Sequence, residues 1–259
     1  METSRSLLTS ALLTGAGFRH AFFTREGGVS PPPFDSLSFA PSVGDDPEAV
    51  RENFRRAAAM LGVEPAHIFV LSQVHGVVAR VVAVDDDRDE VVREAGDITL
   101  SRVRGVACGV RSADCVPVLV SDRASGAVAA IHSGWRGTTL NAAAAGVAAL
   151  RALVGADGDL VAAVGPHIER CCFEVGEEVA AELAACSPLG DHALIRDPGK
   201  RPRVDLRAIV RAQLEAIGLA PSAVDDVVGC TVCDRERFHS HRRDGAKSGR
   251  MLSAIVALG

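Results

Sequence analysis

GVACGVRSADCVPVLVSDRASGAVAAIHSGWRGTTLNAAAAGVAALRALV, residues 105–154, carries the plan of this chain. Three apolar, Val-rich runs, Gly105 to Val110, Val116 to Ser121 and Ala127 to His132, read as strands parted by short polar links. Pro117 places its strand's start there or puts the strand at a sheet edge, because proline has no N–H for a ladder. From Thr138 the pattern turns helical through Val154, with Thr138 or Thr139 near the start and Gly155 as the stop.

Similar punctuation marks the flanks. Asp45-Asp46-Pro47 opens a helix with an acidic cap and a proline at a tolerated first position. Val50, Phe54 and Leu61 share a face of it, and Gly62 ends it. His67 to Leu71, Val77 to Val84 and Leu160 to Val164 read as strands, and Glu177 to Cys186 and Asp205 to Ile217 as helices. Val227 to Cys230 and Met251 to Leu258 read as closing strands. The order is mixed α/β, without strict β-α-β alternation.

The length of 259 residues suits one large domain, and an apolar fraction of 47% supplies a substantial core. A net charge of −5 argues against nucleic acid or an anionic membrane as partner. Met1 to Leu13, with only Arg5 ahead of a short apolar patch, lacks the core of an export signal, and no apolar run approaches a membrane span. A cytoplasmic location is the default expectation. The seven cysteines are odd in number, which disfavours a disulfide framework.

Three loops at strand ends hold the chemistry: Ser72-Gln73-Val74-His75-Gly76, Arg111-Ser112-Ala113-Asp114-Cys115, and Ile131-His132-Ser133-Gly134-Trp135-Arg136-Gly137-Thr138. Imidazole and thiolate are zinc or copper ligands, and three protein ligands leave a coordination position open. Cys115 and His132 equally suit a thiolate nucleophile and its base. Singly, Cys115 reads as a buried thiol, His132 as a hydrogen-bonded strand-end residue and His75 as a turn cap. Their separations of 40 and 17 residues match no local metal motif. Cys230-x-x-Cys233 followed by His239-Ser240-His241 resembles half a zinc site whose second pair is spaced too tightly for a finger. Arg242, Arg243, Lys247 and Arg250 form a basic patch. Arg25-Glu26-Gly27-Gly28 is a glycine-permitted turn that is not a P-loop.

Taken in order, Thr24-Arg25-Glu26-Gly27-Gly28-Val29-Ser30, Gln73-Val74-His75-Gly76, Ala113-Asp114-Cys115-x-Pro117 and His132-x-Gly134-Trp135-Arg136-Gly137 resemble the YfiH, or laccase-domain, family, also called multicopper polyphenol oxidases. Gly165-Pro166-His167-Ile168, Phe173-Glu174-Val175-Gly176 and Arg242-Arg243-Asp244-Gly245 continue the resemblance. It implies a single-domain layered α/β/β/α sandwich spanning 1–259, similar to the cytotoxic-necrotizing-factor fold. It implies a metal site, Zn2+ or alternatively Cu2+, at His75, Cys115 and His132, which are then the catalytic residues. The implied activity is phosphorolysis of adenosine, inosine and S-methyl-5′-thioadenosine, with adenosine deamination also attributed to the family.

The expected partners are therefore a purine nucleoside and inorganic phosphate, in a monomer or small homo-oligomer. Arg25, Gln73, Asp114, Arg136 and Arg243 are the expected substrate contacts, with Arg136 and Arg243 as the anion clamp and Asp114 as proton shuttle. The family's Ala-Asp-Ala is Ala95-Gly96-Asp97 here, its Tyr before Glu-Val-Gly is Phe173, and its Phe-Ser-Tyr-Arg-Arg is His239-Ser240-His241-Arg242-Arg243. Rival readings are a Cys115–His132 amidase editing peptidoglycan precursors and a metal-dependent binding protein. A copper oxidase is the weakest, since one Cys-His-His set cannot hold several copper ions.

Overall fold

A computed structural model describes residues 6–155 and 157–259; Arg5 and the rest of 1–5, part of the export-signal reading, lie outside them. The strands are β1 (Leu7–Leu8), β2 (His20–Phe23), β3 (Ile68–Phe69), β4 (Ala79–Val81), β5 (Ile98–Ser101) and β6 (Ala107–Ser112). They continue as β7 (Val116–Asp122), β8 (Val128–Ser133), β9 (Leu160–Val164), β10 (Leu194–Ile195), β11 (Arg203–Val204), β12 (Val224–Asp226) and β13 (Met251–Val256). The helices are α1 (Ala11–Gly15), α2 (Pro47–Leu61), α3 (Arg88–Val91), α4 (Trp135–Thr139), α5 (Ala142–Val154), α6 (Glu177–Ala185), α7 (Leu206–Ala216) and α8 (His241–Asp244).

Two mixed sheets form, in orders β1-β2-β13-β6-β3 and β12-β9-β7-β8-β5-β4, with a separate β10-β11 ribbon. The two-residue period of a strand sends alternate side chains to opposite faces. Leu119 of β7 and Val161 and Ala163 of β9 therefore enter the layer between the sheets, where they meet Cys108, Val110 and Ile255 of the five-stranded sheet. Val116, Val118, Val120, Ala162 and Val164 point outward, under α5, α6 and α7. Leu252, Ala254 and Val256 face the other way, under α2. The result is the expected α/β/β/α sandwich.

Helix α2 follows its sequence signals. The Asp46 carboxylate accepts from the Glu48 N–H, and Gly62 closes the helix at φ 65°, where a glycine avoids a Cβ clash. Phe54 buries against Phe39 at 5.2 Å between ring centroids, which contributes on the order of 1.5–3 kcal/mol.

Three expectations need correction. The helix expected over 138–154 is two helices, because Asn141 adopts φ 59° and breaks the run between α4 and α5; asparagine tolerates that region better than most residues. The strand expected at Val227 to Cys230 ends earlier, as β12. Beyond Val227 the chain leaves the sheet and binds His167, which donates its N–H to the Gly229 carbonyl and accepts from the Thr231 N–H at its own carbonyl. Pro117 marks a strand start, but β7 lies inside its sheet, between β9 and β8. Among the described residues no helix is long and apolar enough to cross a membrane.

Candidate metal centre and its flanking cavities

The chain crosses between the two sheets in the β3–β4 and β6–β7 connections, and these crossings meet the end of β8. His75 rides on the first crossing, Cys115 on the second, and His132 sits in β8. The three expected ligands therefore converge: their donor atoms lie within 4.8 Å of one another, with Cys115 Sγ 4.0 Å from His75 Nε2. His75 is exposed, Cys115 half-buried and His132 buried. Their loops are tightly turned, with His75 at φ 62° and Asp114 at φ 89°. Each left-handed residue costs on the order of 1 kcal/mol, so both turns need outside support.

Asp97, just before β5, supplies that support for the first turn. Its carboxylate accepts from the N–H groups of Val74 (3.2 Å), His75 (3.0 Å) and Gly76 (2.7 Å). It also contacts His132 Nδ1 at 2.8 Å, and its carbonyl accepts the His132 N–H. One buried carboxylate thus fixes the turn that carries His75 and the ring orientation of His132. The second turn is held by Asp114, whose carboxylate accepts from Thr231 Oγ1 and from the Arg242 N–H, both at 2.6 Å.

Charge is organised to match. Burial works against ionisation of Cys115, but His132 and then His75 outweigh it and bring the thiol down to about 6. Burial likewise lowers His132, yet the Cys115 thiolate and the Asp97 hydrogen bond lift it to about 9. Burial pushes Asp97 upward too, and His132 with the Gly76 and Val74 N–H groups holds it below the usual carboxylate range. At neutral pH and without metal, the pair is a thiolate and an imidazolium.

The residues fit a zinc ion. A thiolate and two imidazoles are its common donors, and three of them leave one position open. Asp97 on His132 Nδ1 leaves Nε2 for the metal, the outer-shell arrangement seen around ligating histidines. Gly134, at the start of α4, keeps the cradle clear: a Cβ there would lie 2.8 Å from Cys115 Sγ and 3.0 Å from His75 Cδ2.

Two cavities border the triad. One, of about 420 Å3, has Ser72, Gln73, Arg111, Ser112, His241 and Arg250 in its wall beside all three triad residues. The other, of about 350 Å3, is walled by Trp135, Ile168, Phe173 and Leu206, with Arg136, Asp114 and Arg242 alongside His75 and Cys115. Arg111 is half-buried; desolvation first, and then the positive charges of Arg88 and Arg250, lower its guanidinium to about 10, so it stays charged at neutral pH. It donates to the carbonyls of Leu71 and Phe39, and Arg250 to those of Ser248 and Gly249. Among the described residues neither has a carboxylate partner.

The expected substrate contacts divide. Gln73 lines the first cavity but spends its amide on the Arg111 backbone, donating to O at 2.7 Å and accepting from N at 2.8 Å. Arg136 reaches the second cavity and stacks on Trp135 at 4.3 Å. The Asp114 carboxylate is engaged by Thr231 and Arg242. Arg25 and Arg243 line neither cavity. Arg25 pairs with Asp35, and Arg243 donates to the carbonyls of Thr231, Val232 and Phe238 and pairs with Asp244. The cationic wall comes from Arg136 together with Arg111, Arg242 and Arg250, and the positioning carboxylate from Asp97. Arg111 opens a quoted loop and Arg250 belongs to the basic patch, but nothing in the sequence marks either as unpaired. The proposed half zinc site is also rearranged: His239 is buried with its backbone N–H on Met251 Sδ, and His241 lines both cavities.

Residues 19–258 match the family described as multi-copper polyphenol oxidoreductase laccase. A purine nucleoside phosphorylase of Streptomyces coelicolor is 39% identical, over 92% of this chain and 95% of its own. A protein named adenosine deaminase, from an unknown prokaryotic organism, is 34% identical over 91% of this chain and 92% of its own. The crystal structure of YlmD from Geobacillus stearothermophilus shares the fold at a TM-score of 0.91 and 30% identity, covering 100% of this chain and 98% of that one.

Proposed function

Because this chain belongs to the multi-copper polyphenol oxidoreductase laccase family, we propose that it is a zinc-dependent purine nucleoside phosphorylase of the cytoplasm, taking adenosine, inosine or S-methyl-5′-thioadenosine with inorganic phosphate. One observation carries the reading: two guanidiniums without carboxylate partners among the described residues, Arg111 and Arg250, line a cavity on one side of the triad, and a cavity walled by Trp135 and Phe173 lies on the other. Inorganic phosphate suits the first, since guanidinium forks match its oxygens. A purine suits the second, between Trp135 and Phe173. The named relatives act in the same direction. We take residues 1–259 as one catalytic domain, since the site draws on both sheets.

In phosphorolysis the phosphate oxygen bonds to the ribose anomeric carbon as the bond to the purine nitrogen breaks. Arg111 and Arg250 would orient the attacking anion, and Arg136 and Arg242 would offset the charge that moves to the leaving base. Asp114 and Asp97 act as positioning residues. Zinc at His75, Cys115 and His132 would supply a Lewis acid at the junction of the cavities; the donor set also accepts Cu2+. The test is ribose-1-phosphate formation from adenosine and phosphate by zinc-loaded protein. None from any of the three nucleosides, or full activity in Cys115→Ala, overturns the proposal.

A second reading draws on the Cys115–His132 ion pair, which suits a thiol hydrolase with no metal. Hydrolytic activity that survives chelation and is lost on alkylation of Cys115 would select it.

A further inference from the structure

We propose that Cys171, Cys172, Cys230 and Cys233 form a second metal site, a mononuclear four-thiolate zinc centre that staples two loops beside the cavities. The paired cysteines follow β9 and the other two form the Cys-x-x-Cys after β12, about sixty residues later. The fold brings all four sulfurs within 4.8 Å of one another. Cys171 Sγ lies 3.5 Å from Cys230 Sγ and 3.7 Å from Cys233 Sγ, and Cys172 Sγ lies 3.3 Å from Cys233 Sγ.

Those lengths fit a single tetrahedral ion. Four sulfurs at ~2.3 Å from a tetrahedral zinc stand ~3.8 Å apart. A disulfide needs ~2.05 Å, and an iron–sulfur cluster spreads its cysteines over more than one metal atom. The partners of the Cys-x-x-Cys are thus the second cysteine pair, rather than His239 and His241. Four thiols in contact cannot ionise together without a cation, and a divalent ion supplies the missing charge.

Position gives the site its purpose. Between Cys230 and Cys233, Thr231 donates its hydroxyl to Asp114, next to Cys115, and the carbonyls of Thr231 and Val232 hold Arg243. On the other loop the carbonyls of Cys172 and Glu174 receive the Arg242 guanidinium, which lines the second cavity. The metal joins these two loops covalently and so fixes the wall that carries Asp114 and Arg242.

The test uses the purified wild-type protein. Elemental analysis should give two zinc per chain, and zinc X-ray absorption should give about 2.5 sulfur ligands per zinc, the mean of a four-sulfur site and a one-sulfur site. His75→Ala with Cys115→Ser should keep one zinc in an all-sulfur shell. Cys171→Ser with Cys233→Ser should keep one zinc with a nitrogen-rich shell. One zinc per wild-type chain with a single sulfur ligand overturns the proposal, and so does a metal-free cluster whose non-reduced mass is about 4 Da low from two disulfides. The wild-type spectrum decides even if the cysteine variants fail to fold.

Discussion

Replacing Asp97 with asparagine tests the architecture of the triad most directly. The carboxylate receives four bonds, two on each oxygen: His75 N–H and His132 Nδ1 on Oδ1, Val74 N–H and Gly76 N–H on Oδ2. Asparagine keeps one acceptor and turns an NH2 toward the other two donors. If the NH2 faces His132, the ring must accept at Nδ1 and carry its proton on Nε2, which blocks the metal. If it faces Val74 and Gly76, the left-handed turn at His75 loses its anchor. Either way two bonds to a charged acceptor are lost, at roughly 1.5–3 kcal/mol each before water relieves the exposed groups. At the metal, we expect zinc affinity to fall about 10–100-fold, as for other outer-shell partners. His132, held at about 9 in part by Asp97, should titrate lower in the metal-free variant. The assays are zinc competition against a chromogenic chelator and NMR titration of the His132 ring. An Asp97→Asn protein that binds zinc with wild-type affinity and leaves His132 unmoved would refute the reasoning.

Other outcomes follow from the same geometry. Between about pH 6 and 9 the empty site holds a Cys115 thiolate and a His132 imidazolium, so zinc binding should release about one proton, from His132. Calorimetry in buffers of different ionisation enthalpy reads this, and release of none denies His132 a place in the coordination shell. Below about pH 6 the thiol protonates, so alkylation of Cys115 in metal-free protein should slow through that pH as it falls; a midpoint near 9 would contradict the pairing. Gly134→Ala should keep the fold, because φ is −70°, while its methyl meets Cys115 and His75 and costs about 1–3 kcal/mol at the site. Wild-type metal content and activity in that variant would mean that the cradle has room. Arg250→Ala should raise the KM for phosphate at least ~10-fold, one lost charge-assisted contact, with a much smaller change in nucleoside KM; an equal effect on both would place phosphate elsewhere.

The layers were legible because alternation in β7, β9 and β13 and the caps of α2 are local signals. The short β5 was not, since four residues beside Asp97 carry too little periodicity to read. Convergence of the triad required the ordered motifs, because neither 40 nor 17 residues implies proximity. Asp97 was visible only as a displaced family position. Gly96 beside it has little room for a side chain, since a Cβ there would press Leu71 Cδ1 at 2.8 Å and the Val78 carbonyl at 3.0 Å. The arginines show the limit most clearly. Arg242 and Arg243 are neighbours on a short helix, where one residue turns a side chain by about 100°. One therefore borders a cavity and the other pairs with Asp244 and loop carbonyls. The four-cysteine cluster was half legible, because its two pairs meet only after β9 and β12 align.

The two cavities share a wall of His75, Ala113, Cys115 and His241, and beyond it each has its own lining. For a two-substrate reaction this layout sets the order of events. With phosphate in one cavity and the nucleoside in the other, as proposed, both reactants would meet at that shared wall before any bond changes. The proposed reaction should then pass through a ternary complex, with no covalent form of the protein accumulating between a first product and a second substrate.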